Sequence, residues 1–212
     1  VTEARDLEAA AAELGVLLGS AQSERLLQFA TLLRRWNVAF NLVSRNDLPR
    51  LVERHLLDSL SLLPLLCGSR VLDLGTGAGL PGLPLAIACP DARFTLIDRS
   101  ERRIRFVRQA AIELGLQNVD AVEADYMHFR ADGEFDTVVS RAVAKPAALW
   151  RVAEPALDAD GQALFQTGPN ERDVANVTAV VERLMVRVPG LARLHHVLRV
   201  RKKGFEPKDA DR

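Results

Sequence analysis

The run Val71-Leu72-Asp73-Leu74-Gly75-Thr76-Gly77-Ala78-Gly79-Leu80-Pro81-Gly82 places a carboxylate and a glycine-rich turn at the end of a short apolar stretch. Glycines at alternate positions let the backbone turn sharply and come close to a bound ligand. Three nucleotide chemistries compete for such a loop. A phosphate-binding P-loop ends in Gly-Lys-Ser/Thr, which is absent here. A dinucleotide site needs G-x-G-x-x-G, and Gly77, Gly79 and Gly82 meet that spacing. Asp73 weighs against it, because a carboxylate just before the first glycine would repel a pyrophosphate. Facing S-adenosylmethionine, the same carboxylate meets a cationic amino acid and a sulfonium. Asp98, at the end of the next strand, stands where an acid accepts both ribose hydroxyls. Asp125, after the third strand, suits the adenine amine. A lone aspartate at a strand end is an ordinary turn former. Three of them after three successive strands, together with the glycines, point to a cofactor site.

Those acids need strands to carry them, and the chain from Arg70 onward reads as alternating strands and helices. Val71–Leu74, Phe94–Ile97, Val119–Ala124, Phe135–Ser140 and Ala163–Phe165 are short apolar strands, and His195–Arg201 is a closing strand. Pro81 suits a first helical turn. Ser100 caps a helix through Glu113 that Gly115 stops, Pro146 opens another, and a last helix is expected over Glu171–Leu184. Such alternation implies a mostly parallel sheet covered on both faces, with ligands beyond the carboxyl ends of its strands. Before Arg70 the chain reads as helix: an alanine-rich segment, a second segment with Ser20 and Ser23 as caps, and a third over Leu48–Leu66. The expected division is residues 1–67 as a helical extension, 68–203 as the cofactor-binding domain, and 204–212 as a polar tail.

Composition narrows the classes. With 48% hydrophobic and 26% charged residues, the chain is neither disordered nor membrane-spanning. Glu3, Asp6, Glu8 and Glu13 break up any apolar signal core, so the cytoplasm is the expected compartment. Cys67 and Cys89 have no metal-ligand spacing and read as small core hydrophobes, so no metal site is expected. Net charge is zero, so nucleic acid would have to meet a local patch. Arg99, Arg102, Arg103, Arg105 and Arg108 form one such patch, and Arg193, His195, His196, Arg199, Arg201, Lys202 and Lys203 another. A solvated surface competes with RNA contact for both. Trp36 reads as packing between the N-terminal helices, and Tyr126 as the best stacker for an extruded base.

Methyl transfer is an in-line displacement at a sulfonium carbon, and the acceptor decides what else is needed. Exocyclic amine methylation usually comes with Asn/Asp-Pro-Pro-aromatic after the fourth strand, where Ser140-Arg141-Ala142-Val143 stands. Pyrimidine C5 methylation needs a cysteine nucleophile, and both cysteines lie in the wrong segments. An acceptor with a free lone pair, such as guanine N7, needs only positioning.

Arg35-Trp36-Asn37 with Phe40-Asn41-Leu42, then Arg54-His55-Leu56-Leu57-Asp58-Ser59-Leu60, then the glycine loop with its Gly-Leu-Pro-Gly ending, then Ser140-Arg141-Ala142 occur in this order. The set resembles the glucose-inhibited division protein B family, the small-subunit (16S) ribosomal RNA guanine-N7 methyltransferases, over about Leu26 to Arg201. The resemblance implies a doubly wound, mostly parallel seven-stranded α/β sheet of the Rossmann-like class I methyltransferase kind, with an N-terminal helical extension. It implies S-adenosylmethionine as cofactor and 16S rRNA in the small ribosomal subunit as partner, with no DNA or membrane partner, and a monomer. Asp73, Gly75, Gly77, Gly79, Leu80, Asp98, Asp125, Tyr126 and Met127 would hold the cofactor. Arg141 would touch both cofactor and methyl-transfer centre, with His55, Asp58 and Ser59 lining the same mouth. The chain departs from the family at Asp125-Tyr126-Met127, where Arg, a small apolar residue and Glu are usual. It departs again at Thr167-Gly168 (usually Lys-Gly) and His195-His196 (usually Arg-His). A non-catalytic homologue that binds cofactor or RNA, or an enzyme with another RNA acceptor, is therefore the alternative.

Overall fold

A computed structural model describes residues 2–131, 133–141, 144–168 and 179–203. Its strands are β1 (Arg70–Leu74), β2 (Arg93–Asp98), β3 (Val119–Glu123), β4 (Phe135–Arg141), β5 (Leu157–Thr167), β6 (Ala179–Val186) and β7 (His195–Lys202). They form one sheet in the order β3-β2-β1-β4-β5-β7-β6. Strands β1 to β5 run parallel, and β7 lies antiparallel to both β5 and β6. The order reverses beside β1, whose neighbours are β2 and β4, and the crevice at such a reversal is where these sheets bind ligands.

Both faces of the sheet are covered, and the period-two alternation of strand side chains shows how. Val71, Phe94, Leu96, Val139, Leu164 and Val197 belong to one buried cluster, while Leu72, Leu74, Ile97, Val138, Phe165 and Leu198 belong to the other. The first cluster takes in α1 (Thr2–Glu13), α2 (Ser20–Phe40), α4 (Gly82–Ala88) and α5 (Glu101–Glu113), with the three-residue turn α3 (Asp58–Leu60). The second takes in α6 (Pro146–Ala156), whose Trp150 is fully buried in it. The N-terminal helices thus share a core with the sheet. Trp36 stacks on Phe40 at 5.1 Å and tilts against Phe106 of α5 at 5.5 Å, and Phe29 lies 6.3 Å from Phe106.

Several local expectations change. The expected helix over Glu171–Leu184 is not there from residue 179 onward: 179–184 lie in β6, and 171–178 fall outside the described residues. Val180 and Val181 are β-branched, and pairing with β7 supplies the partner that local periodicity could not reveal. Strand β5 is longer than Ala163–Phe165, running through Gly161 back to Leu157. The Leu48–Leu66 segment is not one helix but a 3-10 turn (Arg45–Arg50), a π turn (Val52–Leu57), α3, and a 3-10 turn (Leu63–Leu65). The wider π turn is a common device at functional sites, and here it buries His55 and leads into the buried Asp58 of α3.

The serine caps expected for the second helical segment give way as well, whereas Ser100 stands at the cap of α5 as expected. Gly19 caps α2, the Gln22 side chain accepts its N–H at 2.8 Å, and the Ser23 hydroxyl donates to the Gly19 carbonyl. Ser100 caps α5 without a side-chain bond, and Pro81 sits at the cap of α4, one residue before its first turn. Cys67 and Cys89 are only half-buried, and the Cys67 thiol donates to the Asp136 carbonyl at 3.1 Å.

Phe106 is fully buried between α2 and the sheet. Phe106→Ala should cost about 3–5 kcal/mol of unfolding free energy. Urea titration followed by far-ultraviolet circular dichroism measures it, and a cost under about 1 kcal/mol would mean that the N-terminal helices do not share the core.

Candidate active site

The glycine loop is built over Asp73. This carboxylate is fully buried, and its Oδ2 accepts the Thr76 hydroxyl at 2.7 Å and the Gly82 amide at 3.0 Å. One oxygen therefore clamps the loop at both ends. Gly75, Gly77 and Gly79 take positive φ of 71°, 58° and 76°, a region that favours glycine. At Gly82 the constraint is space: a Cβ would lie 2.7 Å from Leu96 Cγ and 2.8 Å from Asp73 Oδ2. Asp73 Oδ1 is buried with no hydrogen-bond partner. Burial pushes its carboxyl up to about 6, against the bonds from Thr76 and Gly82 that favour the anion.

Above the loop, at the carboxyl ends of β1 and β2, opens a cavity of about 410 Å³. Gly75, Gly77, Leu80, Asp98, Asp125, Tyr126, Met127 and Arg141 line it, all of them expected there from sequence. Gly79 and Asp73 are not in its wall; Asp73 acts from beneath the loop. Asp98, 3% exposed, accepts the Gly77 amide and Arg103 on Oδ2 and the Ser100 amide on Oδ1. It joins the loop to the start of α5. Asp125 Oδ1 accepts the Met127 amide at 3.0 Å, which turns Tyr126 and Met127 toward the cavity rim.

Arg141, at the end of β4, closes the other side. Its Nη1 lies 3.2 Å from His55 Nδ1 and 3.3 Å from Asp58 Oδ2. Burial first, and then the charge of Arg141, lowers His55 to about 4. The imidazole is therefore neutral near pH 7, and Nδ1 accepts from the guanidinium. His55 and Asp58 stand behind Arg141 instead of lining the cavity, and Ser59 is buried with its hydroxyl on the His55 carbonyl. The expected mouth of three residues is thus a support for one arginine. Nε and Nη2 of Arg141 have no acceptor among the described residues.

Sequence reasoning missed Thr76, Leu42, Val43 and Ala78 as wall residues. Thr76 stands three residues after Asp73, a spacing that a hydroxyl–carboxylate turn could have flagged. Leu42 and Val43 are set by Asn41 at φ 46° and by Asn37, whose Oδ1 accepts the Val43 amide. The arginines in and just before α5 divide: Arg99 and Arg103 reach the cavity, Arg105 pairs with Glu101, and Arg108 donates to the Ala121 carbonyl. In the C-terminal patch, Arg199 pairs with Glu182, and Lys202 donates to the Leu157 carbonyl. Among the described residues no three His, Cys, Asp or Glu side chains are grouped to hold a metal ion, and no helix is long and apolar enough to cross a membrane.

Residues 22–188 match the model of the GidB family, described as rRNA small subunit methyltransferase G. The chain belongs to that family. It is 45% identical over 203 residues to the ribosomal RNA small subunit methyltransferase G of Methylococcus capsulatus, covering 93% of this chain and 98% of the relative. The namesake of Chromohalobacter salexigens is 42% identical over 207 residues, covering 94% and 97%. Among solved structures, a SAM-dependent methyltransferase from Aquifex aeolicus superposes with a TM-score of 0.56 at 18% identity, covering 72% of this chain and 93% of its own. TYW2 of M. jannaschii, in complex with AdoMet, superposes at 0.59 with 15% identity, covering 77% and 78%. At such identities these neighbours speak for the fold, a seven-stranded class I methyltransferase sheet, and the family model and relatives speak for the family.

The raised carboxyl of Asp73 carries a sign that can be checked. An acid whose folded pKa lies near 6, above an unfolded value of about 3.9, holds its proton longer in the native state, so stability falls as pH rises from about 4 to about 6. A shift of that size corresponds to on the order of 3 kcal/mol. Asp73→Asn removes the titration while keeping an acceptor for Thr76 and Gly82. Relative to wild type, its unfolding free energy should rise between pH 4.5 and pH 7.5. A difference independent of pH would show that Asp73 does not titrate in that window.

Proposed function

We propose that this protein methylates guanine N7 in small-subunit (16S) ribosomal RNA, using S-adenosylmethionine, as a cytoplasmic monomer whose partner is the small ribosomal subunit rather than DNA or a membrane. The reading is carried by one observation: the glycine loop, Asp98 and a doubly anchored Arg141 converge on a single cavity. Residues 68–203 supply most of this cavity, and Leu42 and Val43 of the N-terminal extension complete its wall. Residues 1–67 act as the extension that supports Arg141, and 204–212, the expected polar tail, lie outside the described residues.

The donor set suits the cofactor. Bound S-adenosylmethionine supplies an electrophilic methyl group on a positively charged sulfur. Asp73, buried with one oxygen unpartnered, gives the loop a negative charge that favours a cationic ligand over a pyrophosphate. Asp98, fixed by two amides, accepts ribose hydroxyls, while Asp125, Tyr126 and Met127 flank the adenine. Gly75, Gly77 and Leu80 form the floor, and Gly79 shapes the turn.

Arg141 meets the acceptor. With Nη1 committed to His55 and Asp58, its remaining N–H groups hold guanine O6 or a phosphate and leave N7 free. Guanine N7 has an available lone pair, so no side chain needs to remove a proton. Neutral His55 then serves as an acceptor for Arg141 and not as a general base.

Methyl transfer from radiolabelled S-adenosylmethionine to small subunits lacking the modification, followed by digestion and chromatography, tests the reading. Label should appear as N7-methylguanine. Arg141→Ala should lower transfer by about 100-fold while the Kd for the cofactor changes by less than about 3-fold. Cofactor binding without any labelled base would favour the non-catalytic alternative, and equal loss of binding and transfer in the variant would remove Arg141 from the acceptor side.

A further inference from the structure

Asp58 does more than pair with Arg141. It is 4% exposed, and two other side chains donate to its second oxygen. Gln166 Nε2 reaches Asp58 Oδ1 at 3.1 Å and the Asp58 carbonyl at 3.0 Å, and His195 Nδ1 lies 2.5 Å from the same Oδ1. Facing a carboxylate oxygen, His195 carries its proton on Nδ1. The donors come from the ends of three neighbouring strands: Arg141 from β4, Gln166 from β5 and His195 from β7. Arg141 and Gln166 are register partners, so sheet hydrogen bonding fixes their spacing.

The distribution over the two oxygens matters. An arginine and a carboxylate left to themselves favour a bidentate fork, two parallel N–H···O bonds. Here Oδ1 is occupied by Gln166 and His195, so Arg141 reaches only Oδ2, through Nη1 alone. That single contact keeps Nε and Nη2 out of the ion pair while Arg141 stays in the cavity wall.

We propose that Gln166 and His195 are positioning residues that occupy Asp58 Oδ1 and thereby hold Arg141 in a one-point contact, its other edge turned to the acceptor base. The proposal rests on the methyltransferase reading of the cavity. Neither residue lines the cavity, and both act through Asp58. Without them, Oδ1 loses its donors, Arg141 swings into the fork, and its free edge leaves the cavity.

The experiment compares wild type with His195→Phe and Gln166→Leu, and with His195→Asn and His195→Gln as a matched pair. An asparagine amide can place its nitrogen where Nδ1 stood, whereas a glutamine amide reaches toward Nε2. Expected for His195→Phe and Gln166→Leu is a fall in kcat of about tenfold or more, with the cofactor Kd unchanged and a melting temperature within about 3 °C of wild type. His195→Asn should restore most of the rate and His195→Gln should not. If His195→Phe fails to fold, the Asn and Gln pair carries the test.

A second readout needs no turnover. The nitrogen-15 guanidinium signals of Arg141 should move in His195→Phe and Gln166→Leu to the pattern of a two-point ion pair, and return in His195→Asn. Transfer within about twofold of wild type in all variants, or guanidinium signals that stay put whatever the rate does, would overturn the proposal. If wild type itself transfers no methyl group, the methyltransferase reading fails, and the guanidinium signals still decide whether Gln166 and His195 hold Arg141.

Discussion

One oxygen of Asp73 holds the glycine loop closed. It takes the Thr76 hydroxyl from one end of the turn and the Gly82 amide from the other, and helix α4 starts at that second contact. Every wall residue of the loop depends on this clamp, because three left-handed glycines in five positions have no side chains of their own to fix them. Burying a carboxylate with one oxygen unpartnered is unfavourable. The loop keeps that unfavourable charge where a cationic ligand would relieve it, on an inner strand paired on both sides, β2 on one and β4 on the other.

The second organising charge is Asp58, and it sits on a different part of the chain. Asp73 belongs to the sheet, whereas Asp58 arrives on the irregular turns after the N-terminal helices. The two carboxylates flank Arg141, one contributing through space and the other by contact. In this way the helical extension takes part in the site and does more than cover one face of the core. The stack of Trp36, Phe40 and Phe106 is the apolar counterpart, fastening the same extension to α5, whose first turn carries Arg103.

How much of this was legible in the sequence follows from the range of the interactions. The strands bearing Asp73, Asp98 and Asp125 at or just after their ends could be read because each is a short local pattern. Arg141 followed from a family motif, and Tyr126 and Met127 from their position in the resemblance, although their residue types depart from it. The identity of β6 could not be read, since Val180 and Val181 gain their partners from β7 and nothing in their own window says so. The irregular turns at Val52–Leu57 were equally hidden, because leucines at helical spacing look the same in an α or a π turn. Gln166 was invisible for a third reason: its partner Asp58 stands 108 positions away, and a glutamine in a buried strand has no local signature. Asp73 shows the opposite case, a residue found by pattern whose position under the loop, outside the cavity wall, only the structure reveals.

Strand β7 is inserted between β5 and β6, although it follows both in the chain. Until residues 195–202 are made, the β5 edge has no neighbour, and Asp58 lacks its contact from His195. Synthesis proceeds from the N-terminus, and contacts this distant in sequence close late. The glycine loop can therefore form on a partial chain while the arginine support cannot. A nascent or C-terminally truncated chain would hold a shaped cavity with Asp58 Oδ1 open to Arg141, so completing the sheet also acts as a check on chain length before the site is finished.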